Sequence, residues 1–122
     1  MIILNDNRFN DETFYKVSNI EEILSSSKNS TIIFKYNKAD INLYKFCKEH
    51  NIEFAVEINS VEEFIFLINL NAKYALVDNL KLAKTLQKLA DNYLTQTKII
   101  VKSSIKNIEN IAMNEIDGIF VL

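Results

Sequence analysis

The chain has no proline and no tryptophan, and Gly118 is its only glycine. Glycine-rich phosphate loops need backbone that closely approaches the ligand. The Walker, dinucleotide and nucleophile-elbow motifs therefore have no place in this sequence. Cys47 is the only cysteine, which excludes an internal disulfide and makes a reducing cytoplasm the expected location. Arg8 is the only arginine and the net charge is −2, so there is no electrostatic case for nucleic acid or an anionic membrane. No apolar run approaches a membrane span, and the start MIILNDNRF carries no basic signal head. His50 is the lone histidine. It stands three residues after Cys47 on a predicted helix, yet no further Cys or His completes a shell, so neither a metal nor a cofactor is expected. Cys47 reads as a small buried hydrophobe and His50 as a helix C-terminal residue.

What is present is a repeated unit. The stretch FAVEINSVEEFIFLINLNAKYALVD (54–78) reads as strand, helix and strand. Ser60 suits a helix N-cap, with Glu62 and Glu63 where the helix dipole favours negative charge. Val61, Phe64, Ile65, Ile68 and Ala72 then fall on one helical face. Related patterns start at Asp40 and Ser104, and a weaker one at Asn19, so successive βα units follow one another. The strands are continuous apolar runs: Ile32–Phe34, Phe54–Val56, Ala75–Val77, Ile99–Val101 and Ile119–Val121. Such runs suit parallel strands buried on both faces. The expectation is one α/β domain over 1–122. Its open, mostly parallel sheet has five or six strands, is flavodoxin-like or half-barrel in kind, and carries helices on both faces. Residues 1–4 and 13–17 are candidate strands of lesser clarity.

Four of the runs are followed at once by a charge: Lys35, Glu57, Asp78 and Lys102. They occupy equivalent repeat positions at the strand carboxyl ends, the edge where α/β sheets and barrels hold ligands. They are the candidate site residues. The competing explanation is that the strands simply emerge into water there.

The helix 61–71 carries Phe66 and Leu70 away from its core face. A helix apolar on two sides meets a partner or is deeply buried, so Phe66 and Leu70 are the candidate interface of a homo-oligomer or other protein contact. The helix 79–94 is expected to bury Leu82, Leu86, Leu89 and Tyr93. Its lysines 81, 84 and 88 read as a solvated face rather than a nucleic-acid stripe. The sequence ends within its last predicted strand, which would be an edge, be covered by a partner, or belong to a longer chain.

Residues 53–122 resemble the later strands of indole-3-glycerol-phosphate synthase and related phosphate-binding (βα)8 barrels, through VEINSVEE (56–63), YALVDNLKL (74–82), VKSSIKNIEN (101–110) and IDGIFV (116–121). The resemblance implies that Glu57 keeps a family carboxylate, that Asp78 stands for an asparagine and Lys102 for a second glutamate. Ser104 stands for a phosphate-binding glycine, and Lys16 or Lys35 for family lysines. The second phosphate-site glycine has no counterpart. These departures fall on the chemistry, so the resemblance implies architecture rather than the family's activity.

Three functions follow in order. The first is a non-enzymatic oligomeric or partner-binding module, possible as a regulatory unit. The second is a small-anion, metabolite or lyase-type site formed by Lys35, Glu57, Asp78 and Lys102, where a lysine could also serve Schiff-base chemistry. The third is a receiver-like switch with Asp78 as acceptor and Lys102 beside it. TIIFK (31–35) ends in lysine where that switch needs paired acids.

Overall fold

The computed structural model describes residues 1–122. Seven strands and five helices follow, alternating from the second strand onward. The strands are β1 (Ile2–Leu4), β2 (Thr13–Lys16), β3 (Ser30–Lys35), β4 (Phe54–Glu57), β5 (Tyr74–Val77), β6 (Lys98–Ser103) and β7 (Gly118–Val121). The helices are α1 (Ile20–Ser25), α2 (Ile41–Glu49), α3 (Val61–Asn69), α4 (Leu80–Tyr93) and α5 (Ile108–Met113). No helix is long and apolar enough to cross a membrane.

All seven strands form one parallel sheet in the order β1-β7-β6-β5-β4-β3-β2. The sequence pattern pointed to five or six; β1 and β2, the two short polar-flanked segments, complete the count. From β2 to β7 each strand lies beside its predecessor. Crossovers of one hand then place every helix on the same side. The buried residues divide accordingly. Ile23, Tyr44, Cys47, Phe64, Leu67, Ala83, Leu86, Ala90 and Ile111 from the helices share one cluster with alternate strand residues such as Phe34, Val56, Val77 and Ile119. The other strand positions, Leu4, Ile33, Ala55, Tyr74, Leu76 and Ile100, form a second cluster of strand residues alone. Helices on both faces, as expected from the apolar runs, are therefore not found. The second face is buried by curvature instead.

That curvature follows from one connection. A flat sheet of seven strands would hold its edges roughly 29 Å apart. Only residues 5–12 join β1 at one edge to β2 at the other. Those residues turn back on themselves, with the Phe9 and Asn10 amides donating to Asp6 O, so they cannot span a flat sheet. The sheet curls into a half-barrel. Phe14 of β2 packs edge-on against Phe120 of β7 at 5.2 Å and reaches Tyr74 of β5 at 6.3 Å between ring centroids.

Local signals place the helices. Ser60 Oγ accepts from Glu63 N, the N-cap expected of this position, and donates to Glu63 Oε2. Asn19 and Asn79 cap α1 and α4 in the same way, accepting from Glu22 N and Leu82 N. Asp40 makes no cap bond; Asn37 caps the short turn before α2 instead. With glycine nearly absent, left-handed backbone falls to Asn5, Asn51, Asn71, Leu94 and Glu115. The apolar face of α4 is turned from its expected setting. Ala83, Leu86, Gln87 and Ala90 are buried, whereas Leu82 and Leu89 are half-buried and Tyr93 is exposed. Tyr93 is the last residue of α4.

Gly118 stands where β1 crosses closest to β7. A Cβ there would lie 2.5 Å from Ile2 O and 2.8 Å from Ile100 Cδ1. Neither backbone nor the filled interior can yield cheaply. Gly118→Ala is expected to lower stability by about 2 kcal/mol, measured by urea unfolding, with amides of β1 losing hydrogen-exchange protection first.

Candidate functional site

The carboxyl ends of the strands form one rim of the half-barrel. Lys16, Glu57 and Lys102 have the same facing as the interior residues Phe14, Ala55 and Ile100. They come from β2, β4 and β6, alternate strands of the sheet, and meet as a layer. Lys102 Nζ lies 3.1 Å and Lys16 Nζ 3.6 Å from Glu57 Oε1. Asp78, just after β5, approaches Lys102 at 3.7 Å. The Lys102 and Glu57 side chains are only 19% and 21% exposed, whereas Asp78 is 76% exposed. This charged layer caps the apolar interior. Three of the four residues expected at this edge are thus brought together. Lys35 is in register with Glu57 but is exposed and makes no ion pair with it. The repeat pattern did not mark Lys16 as part of this group, because β2 is too short and too polar to show the apolar run that marks the other strands; only the barrel resemblance had named it, as an alternative to Lys35.

Beside the layer is a cavity of about 220 Å³, lined on its polar side by Asp78, Lys102, Ser103, Asn107 and Asn110. It lies between the first turn of α4 and the start of α5. Ser103 and Asn107 are linked by a 2.9 Å hydrogen bond. The depression therefore offers the Lys102 ammonium, the exposed Asp78 carboxylate and neutral amide and hydroxyl groups, with Glu57 and Lys16 in the adjoining charged layer. Its exposed pairs contribute little to stability by themselves, about 0–1 kcal/mol each.

The amino rim carries a second polar cluster that the sequence reading did not find. Glu12, immediately before β2, accepts a hydrogen bond from the Thr31 hydroxyl of β3 and one from Tyr74 OH at 2.7 Å. Lys73 Nζ lies 2.9 Å from Glu12 and 2.9 Å from Glu53. Burial disfavours the Glu12 charge, but the bonds from Thr31, Lys73 and Tyr74 outweigh it and hold the carboxyl below its ordinary range. Burial and the hydrogen bond to Glu12 push Tyr74 up to about 12. For Lys73, burial is opposed and exceeded by its bonds to Glu53 and Glu12, which raise its value. Only the folded chain brings residues 12, 31 and 74 together, so no spacing in the sequence could announce them.

The remaining candidates lie apart from both rims. Cys47 is buried within the main core, where burial pushes its thiol up to about 11. His50 is exposed at the end of α2, stacks on Phe46 and lies 2.9 Å from Phe46 O through Nδ1. No group of three His, Cys, Asp or Glu side chains is arranged to hold a metal. On α3, Phe66 is 38% and Ile65 46% exposed. Leu70, the helix C-cap, packs half-buried against the main core, and Ile65, assigned to the core face by the periodicity, shares the outer side with Phe66.

No family model matches the sequence, and no curated protein matches it.

The amino-rim cluster has a defined pH dependence. Glu12, with its lowered value, stabilises the fold above the ordinary carboxylate range, and that contribution is lost as pH falls through its folded value. Tyr74, with its raised value, stabilises below its ordinary range and loses this as pH rises through about 12. Thermal unfolding across pH is expected to show the acid-side loss reduced in Glu12→Gln relative to the unaltered chain.

Proposed function

We propose that this chain is a non-enzymatic module that binds a small anion at the carboxyl rim of the half-barrel. The observation that carries the reading is the convergence of Lys16, Lys102 and Asp78 around Glu57, with Lys102 and Glu57 partly enclosed and Lys16 and Asp78 open to solvent beside them. With Lys35 at its margin, the rim has three cations against two carboxylates. Ion-paired lysines bind an anion as they stand: the incoming group replaces a carboxylate as their partner, and no covalent step is needed. Parallel α/β sheets and barrels bind ligands outside this edge. The resemblance to phosphate-binding barrels favours the same place, with lysines here taking over the role of backbone at glycines.

Titration with inorganic phosphate, followed by amide chemical shifts, tests the reading. Shifts are expected to concentrate on residues 16, 57, 78 and 102–103. Lys102→Ala should weaken binding at least about tenfold, the loss of one charge-assisted contact. Glu57→Gln should strengthen it about fivefold, because both lysines lose the carboxylate that competes for them. Binding that is indifferent to both changes would remove this function.

A second reading, a homo-oligomer or protein contact through α3, is favoured by the exposure of Phe66 beside Ile65. Phe66→Asp with Leu70→Lys should reduce an oligomer to a monomer in light scattering. Leu70→Lys also touches the core, so Phe66→Asp alone is the cleaner probe. An unchanged mass in Phe66→Asp would count against the contact.

A further inference from the structure

The strand β2 is held in an unusual way. It pairs with β3 on one side only, and its other edge has no strand. Across the interior it is fastened by three side chains at alternate positions. Glu12 takes bonds from Thr31, Lys73 and Tyr74 at the amino rim. Phe14 packs on Tyr74 and Phe120 in the middle. Lys16 reaches Glu57 at the carboxyl rim. Tyr74 joins the first two, since its hydroxyl holds Glu12 while its ring meets Phe14. The three positions span about 13 Å along one strand. Lys16 is otherwise exposed, so its place over Glu57 depends on where the strand lies.

We propose that the inner face of β2 is one positioning element, in which the seating of Glu12 at the amino rim sets where Lys16 stands over Glu57 at the carboxyl rim. The consequence for ligand affinity rests on the anion-binding reading; the seating itself does not. Glu12 is a positioning residue in this scheme. Lys73 and Tyr74 from the β5 segment and Thr31 from β3 face it, and Glu53 reaches it only through Lys73. Protonation of Glu12 removes the charge that Lys73 pairs with. Loss of the Glu12 charge therefore loosens β2 and withdraws Lys16 from the rim, which couples the carboxyl rim to a group remote from the ligand.

The test uses the whole chain, with Glu12→Gln and Lys16→Ala compared with the unaltered protein. The Val17 amide, which donates to Ile33 O, reports the β2–β3 ladder, and the Ile58 amide, which donates to Leu76 O, reports the sheet centre. Glu12→Gln is expected to speed hydrogen exchange at Val17 by about tenfold while Ile58 stays within about twofold. The Glu57 carboxyl carbon signal should move in the same direction as in Lys16→Ala, and phosphate affinity should fall toward that of Lys16→Ala. Equal exchange at both amides, or an unmoved Glu57 signal, would overturn the proposal. If Glu12→Gln does not fold, Tyr74→Phe, which removes one donor to Glu12, carries the same readouts. Should the unaltered protein fail to bind phosphate while Val17 and Glu57 respond as expected, the seating stands and the anion-binding function falls.

Discussion

Eight residues between β1 and β2 govern this molecule. They tie together the two edges of a seven-stranded sheet, and because they turn back on themselves instead of running extended they do not reach across a flat one. Curvature is the result, and the rest follows from it. The interior face is buried without helices, because inward residues of β2, β5 and β7 meet one another. All five helices crowd onto the convex face, where they build the larger core. The strand ends gather into two rims, so charges that a flat sheet would keep far apart become neighbours.

The two rims differ in kind. At the amino rim, Glu12 has its acceptor capacity filled by three donors and is little exposed. That is a satisfied polar network, which fixes geometry rather than awaiting a ligand. At the carboxyl rim, Lys16 is largely open to solvent and Asp78 more so than Glu57. Charges left this open can exchange partners at small cost. A fastened end and an exchangeable end on the same edge strand are the physical basis for assigning anchoring to one and recognition to the other.

The five central strands were legible because each is a continuous apolar run, and Ser60 announced α3 through its capping chemistry. The charges at 57, 78 and 102 were legible because the repeat places them at equivalent strand ends. The half-barrel, one of the two alternatives read from the sequence, is the form found, but that curvature rather than a second helix layer covers the inner face was not legible. An apolar run reports that both faces are covered and is silent on whether a helix or the opposite wall of the sheet covers them. Glu12 escaped altogether, and Lys16 was named only through the barrel resemblance and not by the repeat, for a related reason. Their strand has four residues, mostly exposed, so its periodicity is too brief to read, and its partners lie 19 to 62 positions away. Phe66 was read correctly as a residue off the core face, whereas Leu70, at the helix end, bends back onto the core.

The placement of β1 beside β7 has a consequence for how the chain assembles. The strands from β2 to β7 can add one at a time, each to the one just made, with short crossovers and modest loop-closure cost. β1 is made before all of them, yet its only sheet partner is Gly118–Val121. On a ribosome it waits through more than a hundred residues of synthesis with Ile2, Ile3 and Leu4 uncovered. Of these seven strands the earliest in the chain finds its sheet partner only in the latest, so the closed arc of the sheet and its two rims cannot be complete before β7 has been made.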